Sequence, residues 1–172
     1  MTADQLWNHI RVGQGWDLHR LEPPPPAGRG RPMVVGGVPF DHETGPVGHS
    51  DADVLLHAVT DALLGALGLA DIGELFPDDD PVNEGADSAR FVREAVRLVH
   101  EDGWVVGNLD TTVVLERPHL SPLKDQIREN LAQLLDVHAS RVNVKGKSHE
   151  GVDAVGSGEA IMAQAVVLLT RL

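Results

Sequence analysis

The chain has 172 residues, a formal net charge of −12, nine histidines and no cysteine. That length suits one domain with its own core. The missing cysteines exclude disulfides and thiolate metal ligands, and the acidity excludes a general nucleic-acid binder, which needs a dominant basic face. Aromatic residues make up only 3% and tyrosine is absent, so the core must be built from Val, Leu, Ile and Ala. No apolar run approaches a membrane span, and the opening Met1-Thr-Ala-Asp-Gln-Leu lacks the charged and apolar regions of a signal peptide. A cytoplasmic protein is expected.

Residues 1–8 read as a flexible N-terminus and 9–172 as a single domain. Ile10 and Val12 open a strand in which Gly13 and Gly15 allow close backbone approach. The strand runs into Gly-Trp-Asp17-Leu18-His19, whose i, i+2 spacing turns Asp17 and His19 to the same side. Residues 22–32, with Pro23 to Pro26 and Gly-Arg-Gly-Arg, form a loop or polyproline segment. Met33 to Phe40 reads as a strand with a glycine break, and Gly45 to Gly48 as a turn.

A helix is predicted from about Asp51 to Leu67, with Gly68 at its C-terminal cap. On it Asp53, His57 and Asp61 are spaced i, i+4, i+8 and share a face. The plain reading is a capped, solvated amphipathic helix; the other is a ligand-bearing stripe. Asp71 to Pro81 is a loop of turn-formers. A second helix starts near Asp87 and ends at Gly103, and Leu109 to Leu115 is a β-branched strand. A third helix begins at Ser121 or Pro122, with Leu123, Ile127, Leu131, Leu134 and Leu135 on its buried side, and Val142 to Lys145 is a short strand. Glu159 to Thr170 fits a helix or a strand equally. This order predicts an α/β (α+β) two-layer sandwich: a mixed sheet of about four strands with helices packed on one face.

One carboxylate and two imidazoles, Asp17, His19 and His57, make three ligands for tetrahedral zinc with a fourth position open. Asp61, one turn beyond His57, is placed to orient its imidazole. Lys145, Lys147, Ser148 and Glu150 are suited to phosphate oxygens and a second, harder cation such as Mg²⁺. The chemistry points to a metal-dependent enzyme acting on phosphates.

Several motifs in order resemble the methylerythritol cyclodiphosphate synthase family of the non-mevalonate isoprenoid pathway, from about Ile10 to Leu169. They are Gly15-Trp-Asp17-Leu-His19, His49-Ser-Asp-Ala-Asp-Val-Leu-Leu-His57-Ala-Val-Thr-Asp61, Asp71-Ile-Gly-Glu-Leu-Phe-Pro-Asp78, Gly107-Asn-Leu-Asp, and Gly156-Ser-Gly-Glu159. The resemblance implies a homotrimer around a central axis, in the bacterial cytoplasm, with active sites between neighbouring subunits. It implies conversion of 4-diphosphocytidyl-2-C-methyl-D-erythritol 2-phosphate to the 2,4-cyclodiphosphate, with release of CMP. It assigns zinc (or manganese) to Asp17, His19 and His57, and a second ion, Mg²⁺ or Mn²⁺, to Glu150. It gives His49 and Ser148 catalytic roles, the latter where the family usually has threonine. It places Leu18, Ser50, Asp71, Ile72, Gly73, Phe76, Asp78, Lys147 and His149 in substrate binding, with the cytidine pocket at Leu115 to Ser121 and Gly146 to Glu150 of a neighbouring subunit.

The chain departs from the family pattern at His119, Lys147, His149, Ala154 and Ser157. Ser157 stands where an arginine is common near the trimer axis, which removes a cation able to pair with an isoprenoid diphosphate. Two other readings are a non-catalytic trimeric metabolite-binding protein of the same fold and a zinc phosphoesterase that activates water.

Overall fold

The computed structural model describes residues 7–171, so most of the predicted N-terminal tag lies outside the described residues. In chain order the elements are β1 (Ile10–Glu22), β2 (Val34–Val35), β3 (Val38–Pro39), β4 (Gly45–Pro46), α1 (Val54–Leu67), α2 (Ile72–Leu75), α3 (Ala89–Glu101), β5 (Val105–Val114), α4 (Lys124–Leu134), β6 (Val142–Lys147), α5 (Asp153–Gly156) and β7 (Ala160–Thr170).

The main sheet has five strands in the order β4-β1-β7-β5-β6, one more than the four expected. Two local choices make the difference. The ambiguous C-terminal segment is strand β7 and takes the centre, antiparallel to β1 from Ile10↔Thr170 to Arg20↔Ala160 and antiparallel to β5. Its odd residues Ile161, Ala163, Ala165, Val167 and Leu169 are all buried, the period-2 signature of a strand with one core face. The Gly45–Pro46 turn pairs with the end of β1 as a short edge strand. Met33 to Phe40, by contrast, does not join this sheet. Gly36 and Gly37, at φ 61° and 75°, turn it back on itself as the β2–β3 hairpin. Strand β6 lies parallel to β5, connected through α4.

The alternation along β1 turns residues 13, 15, 17, 19 and 21 toward α1 and leaves Val12, Trp16 and Leu18 exposed on the other face. Gly13 and Gly15 lie against the helix backbone: an added Cβ would sit 1.8 Å from Ala62 O at Gly13 and 1.9 Å from Ala58 O at Gly15. The close approach anticipated for these glycines is therefore real, and it lets α1 sink onto the sheet.

Helix α1 is not the solvated amphipathic helix of the plain reading. Ten of its fourteen residues are buried, between the sheet and α3. It starts at Val54, three residues later than expected, and Asp53 is its cap rather than a member of a polar stripe. The Asp53 carboxylate is fully buried and accepts from Leu55 N and Leu56 N (both 3.1 Å) and from Gly36 N (2.9 Å) and Gly37 N (2.6 Å). One side chain thus caps the helix and ties down the β2–β3 turn. Burial pushes this carboxyl up to about 6, against the pull of the Gly37, Gly36 and Leu56 N–H groups. Among the described residues, no helix is long and apolar enough to cross a membrane.

Gly15→Ala is expected to lower stability by about 3 kcal/mol or more through overpacking against Ala58. Gly65→Ala, whose Cβ would meet nothing closer than Gln14 O at 3.7 Å, is expected to raise it by about 0.5–1 kcal/mol. Urea unfolding of the two variants beside the parent checks both signs.

Candidate metal centre and its cleft

The register that seats the two glycines under α1 carries Asp17 and His19 toward His57 at the N-terminal end of the same helix. Asp17 Oδ2 lies 3.0 Å from His19 Nε2 and 3.0 Å from His57 Nδ1, and the two ring nitrogens are 3.1 Å apart. These three residues form a group able to hold a metal ion. Leu18 N–H donates to Asp17 Oδ1 at 2.8 Å, which leaves Oδ2 for the imidazoles.

The hydrogen bonds on the far sides of the rings decide where the protons sit. His19 Nδ1 is 3.0 Å from the Val47 carbonyl, an acceptor only, so Nδ1 carries the proton and Nε2 presents its lone pair inward. For His57, Nε2 is 2.9 Å from Ser88 Oγ and 3.1 Å from Ser50 Oγ. Ser88 Oγ–H itself donates to the Asp51 carboxylate, so its lone pair accepts from Nε2–H and His57 Nδ1 is left bare. Two imidazole lone pairs and a carboxylate oxygen therefore meet at one point, which suits a divalent cation.

The charges agree. Burial opposes the ionised form of Asp17, yet hydrogen bonds from His19 and His57, donated when the rings carry their second protons, outweigh it and hold the carboxyl well below its usual range; those protons leave when the lone pairs face an ion. Burial likewise opposes charge on His19, but the adjacent Asp17 raises the imidazole above its ordinary value.

The centre opens into a cleft of about 360 Å³ lined by His49, Ser50, Ile72, Gly73, Phe76 and Asp78, all anticipated from the sequence, together with Asp17, His19 and His57. Val47, Gly48, Asn83 and Phe91 complete it and were not anticipated. Phe91 backs His57 at 6.1 Å and stacks on Phe76 at 4.5 Å. Helix α2, a turn within the segment read as a plain loop, is capped by Asp71, which accepts Glu74 N–H. Leu18 points to the opposite face of the sheet.

Asp61 does not support His57 as predicted. Its carboxylate accepts Ile72 N–H at 2.8 Å and so anchors α2; burial raises it. The support comes from Ser50, Ser88 and Asp51. Ser88 occupies the N-terminal cap position of α3 but makes no side-chain cap bond, because its hydroxyl serves His57 and Asp51. Lys147 ends β6 and Ser148, His149 and Glu150 form the loop after it; all four lie outside this cleft, and Ser148 Oγ donates to Glu150 Oε1 at 2.8 Å.

Fold and site together define a layered α/β protein organised around a carboxylate–di-imidazole centre of the kind that takes a divalent ion in an open cleft. The model of the YgbB family matches residues 10–170, and the chain belongs to that family. It is 55% identical over 162 residues to the chloroplastic 2-C-methyl-D-erythritol 2,4-cyclodiphosphate synthase of Oryza sativa subsp. japonica, across 94% of this chain and 70% of that one. The synthase of Ralstonia pickettii is 50% identical over 165 residues, across 96% of this chain and 95% of its own. Among solved structures, an IspF–CDP complex from Plasmodium falciparum aligns with a TM-score of 0.82 at 34% identity, across 95% of this chain and 97% of that chain.

Binding of a divalent ion is expected to release protons and to weaken as the pH falls. The raised His19 keeps its proton to higher pH than a free imidazole, and that proton must leave before Nε2 can ligate. Titration at several pH values with a competing chelator checks the direction. Ser88→Ala, which frees the His57 tautomer, is expected to weaken binding about 10- to 100-fold in the same titration.

Proposed function

We propose that this protein converts 4-diphosphocytidyl-2-C-methyl-D-erythritol 2-phosphate to 2-C-methyl-D-erythritol 2,4-cyclodiphosphate and CMP. The observation that carries the reading is the convergence of Asp17, His19 and His57 at the floor of a cleft edged by His49. Family membership supplies the substrate.

In this reaction an oxygen of the 2-phosphate forms a bond to the β-phosphorus, and the bond from that phosphorus to the CMP oxygen breaks. Both partners are anions, so positioning and charge neutralisation dominate the barrier. The 2-phosphate is already a nucleophile and needs no general base. Asp17, His19 and His57 would hold zinc (or manganese) and Glu150 a magnesium or manganese ion, which supply positive charge to the diphosphate when bound. The residues of the chain do the rest. His49 donates a hydrogen bond to oxygens that gain charge at the transition state. The Ile72–Gly73 turn, held by Asp61 and Asp71, and Phe76 receive the methylerythritol moiety. Ser148 and Lys147 donate to phosphate oxygens. Glu150 is a non-glycine residue at φ 52°, a conformation that sets its side chain within a tight loop.

That loop lies apart from the metal centre within one chain, which supports sites shared between subunits of a homotrimer. The exposed apolar side chains Val12, Trp16, Leu18 and Val166 on the sheet face away from α1 support the same assembly.

Purified protein given the cytidylylated phosphomethylerythritol and Mg²⁺ is expected to release CMP and cyclodiphosphate in equal amounts, followed by phosphorus NMR. Linear hydrolysis products would instead mark a phosphoesterase. His57→Ala is expected to lose both bound zinc and turnover, and retained turnover would refute the ligand assignment.

A further inference from the structure

The proline-rich segment at 22–32 finds no place in the reaction above, yet it is tightly built. Gly30 N donates to Pro23 O at 3.0 Å and Arg31 N to Pro46 O at 2.9 Å. Arg29 pairs with Glu22. Close backbone packing at both ends holds the segment in place: a Cβ on Gly30 would lie 1.9 Å from Glu22 O, and one on Gly45 1.7 Å from Arg31 O.

What the segment delivers is the Arg31 guanidinium. It donates from Nε to Gly48 O at 2.7 Å and from Nη2 to His49 O at 2.8 Å, so it grips the backbone on which His49 stands. Nη2 also meets Glu84 Oε1 at 2.6 Å, while the other oxygen of that carboxylate, Oε2, lies 2.8 Å from His49 Nδ1. The Arg31 hydrogen bond holds the Glu84 carboxyl below its usual range. Gly85 N–H donates to His49 O at 2.8 Å, which joins the Glu84 loop to the same strand of chain.

We propose that Glu84, clamped by Arg31, is a positioning residue for His49: it holds Nδ1–H and so fixes which ring nitrogen faces the substrate. A carboxylate and a carbonyl oxygen only accept, so with Glu84 Oε2 at Nδ1 and Asp80 O 3.4 Å from Nε2 both ring nitrogens carry a proton in these contacts, and Nε2–H is the donor turned toward the cleft. The proline-rich segment is then the rigid arm that carries the clamp. The inference rests on the cyclising reading, in which His49 meets the anionic transition state. A ring held in one orientation loses less freedom when the transition state forms.

The test is a double-mutant cycle on the full chain with CMP release as the readout. Glu84→Ala is expected to lower kcat about 10- to 100-fold with KM changed less than about threefold. The same substitution in a His49→Ala background is expected to add less than about twofold, because Glu84 acts through that ring. Glu84→Gln, whose amide oxygen still accepts from Nδ1–H, is expected to recover part of the loss. Proton–nitrogen correlation spectra of the histidine rings are expected to show His49 protonated at Nδ1 in the parent and a mixture in Glu84→Ala. Parental turnover with kcat of Glu84→Ala within twofold, or an effect fully additive with His49→Ala, or unchanged ring spectra, would overturn this inference alone. Absence of CMP release by the parent protein would overturn the cyclising reading and this inference with it.

Discussion

The close seating of α1 on β1 is the constraint from which the site follows. Gly13 sits under Ala62 and Ala66, and Gly15 under Ala58 and Ala62. Two residues further along the strand the same face presents Asp17, and two further His19, while the helix has run back to His57. A side chain larger than hydrogen at either glycine would lift the helix by more than the tolerance of a site whose ligand atoms lie 3.0–3.1 Å apart. Strand and helix periodicities thus turn two missing side chains into the alignment of three ligands.

The centre also depends on groups that never touch the ion. Val47 O accepts a hydrogen bond from His19 Nδ1–H, and Ser88 Oγ, itself donating to Asp51, accepts one from His57 Nε2–H. Without those acceptors either ring could present a protonated nitrogen and the centre would lose a ligand. Asp53 plays a related part at one remove. It caps the helix that bears His57 and joins it to the Gly36–Gly37 turn, so the start of α1 is anchored from two directions. Its burial disfavours ionisation, and the Gly37, Gly36 and Leu56 N–H groups offset part of that cost.

Much of this was legible in the chain because it is local. The period-2 spacing of Asp17 and His19, the glycines before them and the helix that bears His57, though not its first residue, are properties of a few consecutive residues. Where the local signal was balanced it misled. The segment 160–170 is rich in both Ala and Val/Leu, and only its place between β1 and β5 makes it a strand. Asp61 is one helical turn from His57 and was read as its partner, but a helix with neighbours on several sides can aim that side chain elsewhere, and Ile72 N–H takes it.

The sequence by itself determined the ligand types, the alternation that aligns two of them, and the family. Tertiary structure alone decided which second groups hold the rings, because Ser88 is 31 residues from His57 and meets it only where α3 packs beside α1. It also decided that Arg31, Glu84 and His49 touch, across separations of 53 and 18 residues. Hydrogen bonds between distant loops leave no periodic trace in a chain, since they depend on where separate elements come to rest and not on the spacing of residues within any one of them.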